Sequence, residues 1–346
     1  MIMQVFIKPT NACNLYCSHC FVPEQKKDTK IMSTQEVDTI LLKLYEYFKN
    51  DKLSIVWHGG EPALAGENFY KHILDNYRQP NVKHGMQTNL TLINEKWYPI
   101  IEKLFDGRIG TSFDITRNLA GSFDKFNHLW EKRLTEVKKR FYVMAKMILT
   151  KQIMQKGAEW TVNLLEKIGV QEFVLEHFMT FGNGKQHEDE YYVPYSEYFF
   201  FVLKVRELLL NGNSAVRIRA YPSDDYFVRE LEKGRTSGFF RGACAESTLV
   251  IEPDGRVSYC PIASANDMAY FGNIYTDSMD DILCNENRVD IISRQKSFYC
   301  DCEHYQNCNG GCYLIRSATD KADCKRVFAE SSQRGRSYVR TTAREM

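Results

Sequence analysis

Cys13-Asn14-Leu15-Tyr16-Cys17-Ser18-His19-Cys20 lies just past the apolar run Val5-Phe6-Ile7. Its three cysteines, spaced C-x3-C-x2-C, can turn three thiolates onto one face of an iron–sulfur cube, for which thiolates are the usual protein ligands. The loop supplies three sulfurs to a four-iron cluster. One iron therefore keeps an open coordination position, which marks a site for chemistry rather than scaffolding. A zinc ribbon, a disulfide or buried thiols would be plainer readings. Zinc needs a fourth ligand, for which His19 is awkwardly placed between Cys17 and Cys20, although a distant cysteine could serve. Disulfides belong to oxidising compartments.

Composition narrows the rest. The 346 residues suit one large domain and a smaller one. A net charge of +1 argues against bulk nucleic-acid binding, which draws on many Lys and Arg contacts to phosphate. No apolar run approaches a membrane span, and Met1-Ile2-Met3-Gln4 lacks the charged and apolar parts of a signal peptide. The expected location is cytoplasmic. Of eleven cysteines, three are in the first loop and eight fall between Cys244 and Cys324. Clustering at both ends suggests two metal-binding regions.

Between the ends, short apolar runs alternate with helical patterns. The predicted strands are 5–7, 53–57, 85–87, 109–113, 143–149 and 173–178. After a capping box at Ser33 and Glu36, Val37, Ile40, Leu41, Leu44, Tyr45 and Phe48 recur at helical spacing. Further helices are predicted over 68–77, 94–105, 123–138, 158–168 and 196–210, the fourth of these with Trp160, Leu164, Leu165 and Ile168 on one face. Such alternation means parallel βαβ units. Six units are too few for a closed eight-stranded barrel and fit an open, partial (β/α)6 barrel. In parallel barrels functional groups gather at the carboxyl ends of strands. The distinctive residues stand there: the cysteine loop after strand one, His58-Gly59-Gly60-Glu61-Pro62 after strand two, and Thr88-Asn89 after strand three. Ser112 and Asp114 end strand four; Lys151 follows strand five and Glu176-His177 ends strand six. Arg117, Lys151 and Glu176 are candidates on position alone, and for each a solvated or ion-paired role is the simpler reading. Gly182 to His187 is polar and glycine-containing, and is expected to be a linker out of the barrel.

The cysteine loop followed by Gly59-Gly60-Glu61-Pro62 resembles the radical S-adenosylmethionine superfamily. The resemblance implies that the open iron chelates the cofactor's amino and carboxylate groups, and that an electron from the cluster releases a 5′-deoxyadenosyl radical. Glycines let backbone approach a ligand closely, proline stiffens the turn, and Glu61 would accept hydrogen bonds from the cofactor's ammonium. Ser112 and Asp114 resemble the family's Ser-x-Asp, which contacts ribose and carboxylate, with Ile115 where a glycine often follows. Asn89 resembles the family's Thr-Asn-Gly, with Leu90 in place of glycine. His19 stands where the family usually has an aromatic residue, and its imidazole would lie against the adenine.

The second cysteine region opens with Cys244. Pro253-Asp254-Gly255 is a strong turn signal that returns the chain as a hairpin, so that Cys244 and Cys260 can face one site. Cys300, Cys302, Cys308, Cys312 and Cys324 follow. In order these seven resemble the SPASM auxiliary-cluster extension, with Cys300-x-Cys302 one residue shorter than the usual pair. By that resemblance Cys300, Cys302, Cys308 and Cys324 hold an outer [4Fe–4S] cluster, and Cys244, Cys260 and Cys312 an inner one. Cys284 sits on an apolar helical run and reads as a buried thiol. The expected domains are a barrel over 1–185, a helical bridge over 186–240, the auxiliary domain over 241–330 and a tail over 331–346.

Enzymes with this extension mostly act on peptides or proteins. The expected activity is hydrogen abstraction from a ribosomally made precursor peptide to install a carbon–carbon or carbon–sulfur crosslink, with electrons from a donor such as flavodoxin or ferredoxin. An anaerobic sulfatase-maturating enzyme would share both cysteine regions and is the alternative within the same chemistry. A non-catalytic iron–sulfur or zinc protein is a third reading, against which Gly59-Gly60-Glu61-Pro62 argues. No individual catalytic side chain is legible.

Overall fold

The computed structural model describes residues 2–26, 29–220 and 244–297, with Cys312 and Leu314. Its barrel strands are β1 (Ile2–Ile7), β2 (Lys52–Trp57), β3 (Val82–Met86), β4 (Arg108–Ser112), β5 (Tyr142–Leu149) and β6 (Glu172–His177). Between and after them run α1 (Thr34–Tyr47), α2 (Glu67–Asn76), α3 (Tyr98–Lys103), α4 (Phe123–Val137), α5 (Lys151–Gln155) and α6 (Ala158–Ile168). The pairs β1–β2, β2–β3, β4–β5 and β5–β6 are all parallel, and one bridge between Gln87 and Gly110 joins β3 to β4. This is the expected partial barrel. The strand ladder runs further at both ends, however. β7 (Arg217–Ala220) adds in parallel to β6, and β8 (Thr248–Ile251) adds in parallel to β1. β8 then turns back through Gly255, at φ +86°, into antiparallel β9 (Val257–Ser258).

The layers follow from side-chain periodicity. In β5, Val143, Ala145, Met147 and Leu149 are fully buried on one face, which leaves Lys146 and Ile148 on the other. α1 begins at the Ser33–Glu36 capping box and buries Val37, Ile40, Leu41 and Leu44 completely. Each such aliphatic side chain contributes about 1.5–3 kcal/mol. α6 is rotated from the expected face: Thr161, Leu165 and Ile168 are buried, and Trp160 and Leu164 only partly so. α7 (Glu188–Tyr191) and α8 (Tyr195–Asn211) follow, with Tyr198 buried and donating to the Leu175 carbonyl at 2.7 Å. Among the described residues no helix is long and apolar enough to cross a membrane.

Two expectations change. Gly182–His187 is no open linker; it is a 3-10 helix packed on the cysteine loop. The Gly184 amide donates to the Cys20 carbonyl at 3.1 Å, and a Cβ at Gly182 would strike the backbone of Phe21. Its glycines serve close approach rather than flexibility. Cys284 is exposed. The short helix Met279–Leu283 buries Met279 and Ile282, and two residues past Ile282 the helical rotation carries Cys284 to the opposite side.

Candidate active site

The loop from Cys13 to Cys20 is held in place mainly by bonds that do not use its sulfurs. The Tyr16 amide donates to the Asn118 carbonyl at 3.1 Å, and Asn118 Nδ2 returns a bond to the Tyr16 carbonyl at 2.6 Å. Asn14 Nδ2 donates to Thr91 Oγ1 at 2.8 Å. Cys13, Cys17 and Cys20 all border one cavity of about 330 Å³, a size suited to a small ligand. Burial pushes the Cys17 thiol up to about 12, Arg117 pulls it down, and Cys20 and Cys13 raise it further. The three sulfurs thus sense one another's charge. Among the described residues no trio of Cys, His, Asp or Glu closes on a single ion.

The Gly59-Gly60-Glu61-Pro62 turn runs alongside the base of this loop. The amides of His58, Gly60 and Glu61 donate to the carbonyls of Ile7, Thr10 and Ala12 at 3.0, 3.1 and 2.8 Å. A Cβ at Gly59 would collide with the Thr10 carbonyl, and one at Gly60 with the carbonyls of Asn11 and Ala12. The glycine pair is therefore required by the cysteine loop, whether or not a ligand also approaches; both glycines line the cavity. Pro62 is buried at the start of the following 3-10 turn.

Glu61, expected to meet the cofactor's ammonium, has bonding partners within the protein as well. It is fully buried, and its carboxylate accepts from the Ala63 amide at 3.0 Å, Thr88 Oγ1 at 2.6 Å and the Asn89 amide at 2.6 Å. Burial raises its pKa despite these donors. The carboxylate ties the β2 turn to the β3 turn. Glu61→Gln places an amide against those donors and removes charge-assisted bonds worth about 1.5–3 kcal/mol. The expected result is a lower urea midpoint for folding; an unchanged midpoint would contradict this bracing role.

What Glu61 braces is the Asn89 turn. Asn89 Nδ2 donates to Asn14 Oδ1 at 2.7 Å and lies 3.9 Å from Cys13 Sγ. Leu90 holds φ +69°. The backbone keeps the left-handed turn for which the resemblance led us to expect glycine, and the leucine side chain is buried.

Asp114 is likewise bonded within the protein. It is fully buried, ion-paired to Arg117 Nε at 2.9 Å and to His19 Nδ1 at 3.2 Å. Thr116 donates to it through its amide at 3.1 Å and Oγ1 at 2.6 Å, and also contacts His19. Burial alone would raise the Asp114 pKa; His19, Arg117 and Thr116 outweigh it and hold the carboxyl below its ordinary value. Asp114 thus anchors His19, and with it the cysteine loop. His19 and Arg117 themselves line the cavity.

The remaining wall includes side chains that motif reading did not single out. Gln87 Nε2 donates to Ser112 Oγ at 2.8 Å, and both line the cavity. Lys146 pairs with Glu176 at 2.9 Å on the β5–β6 side. Lys151 is exposed and contributes nothing there; it belongs to α5, past the strand end. Lys146 had a sequence signal, a lone lysine inside an otherwise apolar strand. His58 packs against Phe6 and Phe21, and its buried Nδ1 has no hydrogen-bond partner among the described residues. Burial, Lys146 and Lys8 lower its pKa to about 3, so the ring is neutral near neutral pH. An orphaned polar atom in a cavity wall fits a site shaped for a ligand.

The second cysteine region reaches this same cavity. Cys260 lines it, and Cys244 lies within electrostatic reach of Cys260. Cys312 is partly buried against the same core. A buried polar network fastens the two regions: Lys8 Nζ pairs with Glu252 at 2.5 Å and donates to Ser264 Oγ at 3.2 Å, and Asn11 Nδ2 donates to Glu252 at 2.9 Å. Cys300, Cys302, Cys308, Cys324 and the tail lie outside the described residues.

Comparison with known proteins gives these features a family. Residues 7–142 match the radical SAM superfamily, and residues 244–313 match the SPASM iron–sulfur cluster-binding domain. A cysteine-type anaerobic sulfatase-maturating enzyme of Clostridium perfringens (strain 13 / Type A) is 23% identical, covering 93% of this chain and 91% of that protein. The structure of native anSMEcpe with bound AdoMet and Kp18Cys peptide matches at TM-score 0.80, with 21% identity over 99% of this chain and 100% of that one. Streptococcus suis SuiB bound to precursor peptide SuiA matches at TM-score 0.66, with 15% identity over 93% and 74%. The crosslinking maturase expected from sequence is overturned here: the relative aligned along nine-tenths of the chain is a sulfatase-maturating enzyme. Cysteine patterns common to both activities could not separate them. The architecture implies binding of S-adenosylmethionine and iron–sulfur clusters, and the chain is a radical SAM enzyme with a C-terminal SPASM auxiliary-cluster domain.

Proposed function

We propose that this enzyme is an anaerobic maturase of the sulfatase type, which oxidises a cysteine or serine side chain of a polypeptide to formylglycine. The carrying observation is the end-to-end alignment with an enzyme of that name. When bound, the cluster and S-adenosylmethionine supply a carbon-centred radical that takes a hydrogen atom from an unactivated carbon. Cys13, Cys17 and Cys20 hold the catalytic cluster. Gly59, Gly60, Asn89, Ser112, His19 and Arg117 surround the cofactor, while Glu61, Pro62 and Asp114 brace the turns that carry them. Lys146 and Glu176 present a charge pair to the polypeptide. Two auxiliary [4Fe–4S] clusters belong to this proposal: Cys300, Cys302, Cys308 and Cys324 ligate the outer, and Cys244, Cys260 and Cys312 the inner. So do a flavodoxin- or ferredoxin-type electron donor, a cytoplasmic location and the division of the chain near residues 185 and 241.

The test is anaerobic incubation with S-adenosylmethionine, a reductant and a synthetic peptide carrying a sulfatase's target cysteine or serine. The expected product is an aldehyde-bearing peptide, captured by a hydrazide reagent, formed together with 5′-deoxyadenosine. Cofactor cleavage with no aldehyde in either peptide would overturn the substrate assignment and leave the radical chemistry standing.

A further inference from the structure

Ser258 stands on β9 with its Oγ sealed from solvent and, among the described residues, without a hydrogen-bond partner. Buried hydroxyls in folded cores are nearly always paired. Nearby Ser264 shows the usual case, since its Oγ accepts from Lys8. The residues flanking Ser258, Val257 and Tyr259, are buried and largely apolar. Packing alone would be served as well by alanine.

Register shows where Ser258 faces. Phe6 of β1 stands beside Val250 of β8, and Val250 beside Ser258 of β9. Side chains in paired register share a sheet face. Phe6 lines the cavity, so this row looks inward. Two residues further on, Cys260 lines the same cavity, with Cys244 within electrostatic reach.

We propose that Ser258 Oγ donates a hydrogen bond to a sulfur of the auxiliary cluster held by Cys244 and Cys260, and so raises that cluster's reduction potential. Reduction adds negative charge to the cluster, and a donor aimed at its sulfur stabilises the reduced state; hydrogen bonds to sulfur are among the protein's main controls over such potentials. Ser258 is a tuning residue and need not touch substrate. The inference rests on the assignment of Cys244 and Cys260 as cluster ligands.

The experiment uses the full chain with Cys13, Cys17 and Cys20 replaced by Ala, reconstituted anaerobically, so that auxiliary clusters alone are observed. Redox titration followed by electron paramagnetic resonance should show one cluster moved to a more negative potential in Ser258→Ala and returned toward the original value in Ser258→Thr. In deuterated buffer, pulsed resonance on the reduced cluster should show an exchangeable-deuteron coupling that Ser258→Ala removes. The same potentials and the same coupling in Ser258→Ala would overturn the proposal. Retention of all iron in a Cys244→Ala/Cys260→Ala variant would refute the ligand assignment instead. Iron loss there together with an unshifted Ser258→Ala would refute the hydroxyl's role alone.

Discussion

An enzyme with Cys13, Cys17 and Cys20 all changed to Ala should cleave no S-adenosylmethionine and should still hold auxiliary iron. The three sulfurs share one cavity wall and sense one another's charge, so they act as one ligand set. Removing them should nonetheless leave the loop folded. Tyr16 and Asn118 bind each other through backbone and amide, Asn14 is held by Thr91, and the Cys20 carbonyl accepts from Gly184. Buried Cys17 has its thiol pushed up to about 12. Cluster assembly must therefore displace its proton, and apo protein without iron should stay thiol rather than thiolate. The measurements are 5′-deoxyadenosine formation under reducing, anaerobic conditions and iron per chain. Undiminished cleavage in the triple variant would refute the catalytic cluster's position. Loss of all iron would mean that the two regions do not load independently.

Replacing Asp114 with Ala should cost about 3–5 kcal/mol, the usual penalty for stranding one partner of a buried ion pair. Arg117 would be left beside the cysteines without its carboxylate, and Thr116 and His19 would lose their shared acceptor. The pH dependence has a definite sign. The Asp114 pKa is depressed in the folded state, so its contribution is present above the ordinary carboxylate pKa and is lost as pH falls through the lower, folded value. Urea unfolding of the apo protein should show a large gap between wild type and Asp114→Ala near neutral pH, narrowing in strong acid. A gap that is small, or that does not change with pH, would mean the pair contributes little. Cofactor affinity measured in the same variant should also fall, because Asp114 holds His19 and Arg117, which line the cavity.

Much of the architecture was legible because it depends on local periodicity. Alternation in 143–149, the capping box at Ser33 and Glu36, and the Pro253-Asp254-Gly255 turn are short-range signals, and the strands, α1 and the hairpin follow them. The joining of further strands to the two edges of the barrel was not legible. β7 is short, with arginine alternating in it, and β8 is recruited to β1 from 244 residues away through pairs such as Gln4 with Thr248. Nothing local announces such a pairing.

The sequence by itself determined the chemistry's class: thiolate spacing and the Gly59-Gly60-Glu61-Pro62 turn need no tertiary contact to be recognised. Only the tertiary structure decided the jobs within the site. Glu61 and Asp114 look like ligand groups in sequence, and the fold also gives each carboxylate donors of its own, so that each braces a turn whatever else it contacts. Lys146 and Gln87 carry no motif, yet they reach the cavity beside His58, because inward positions on parallel strands line one interior. Rotation by about half a helical turn past buried Ile282 exposed Cys284. Direction of a side chain is a property of packing, and packing is settled by residues far away in the chain.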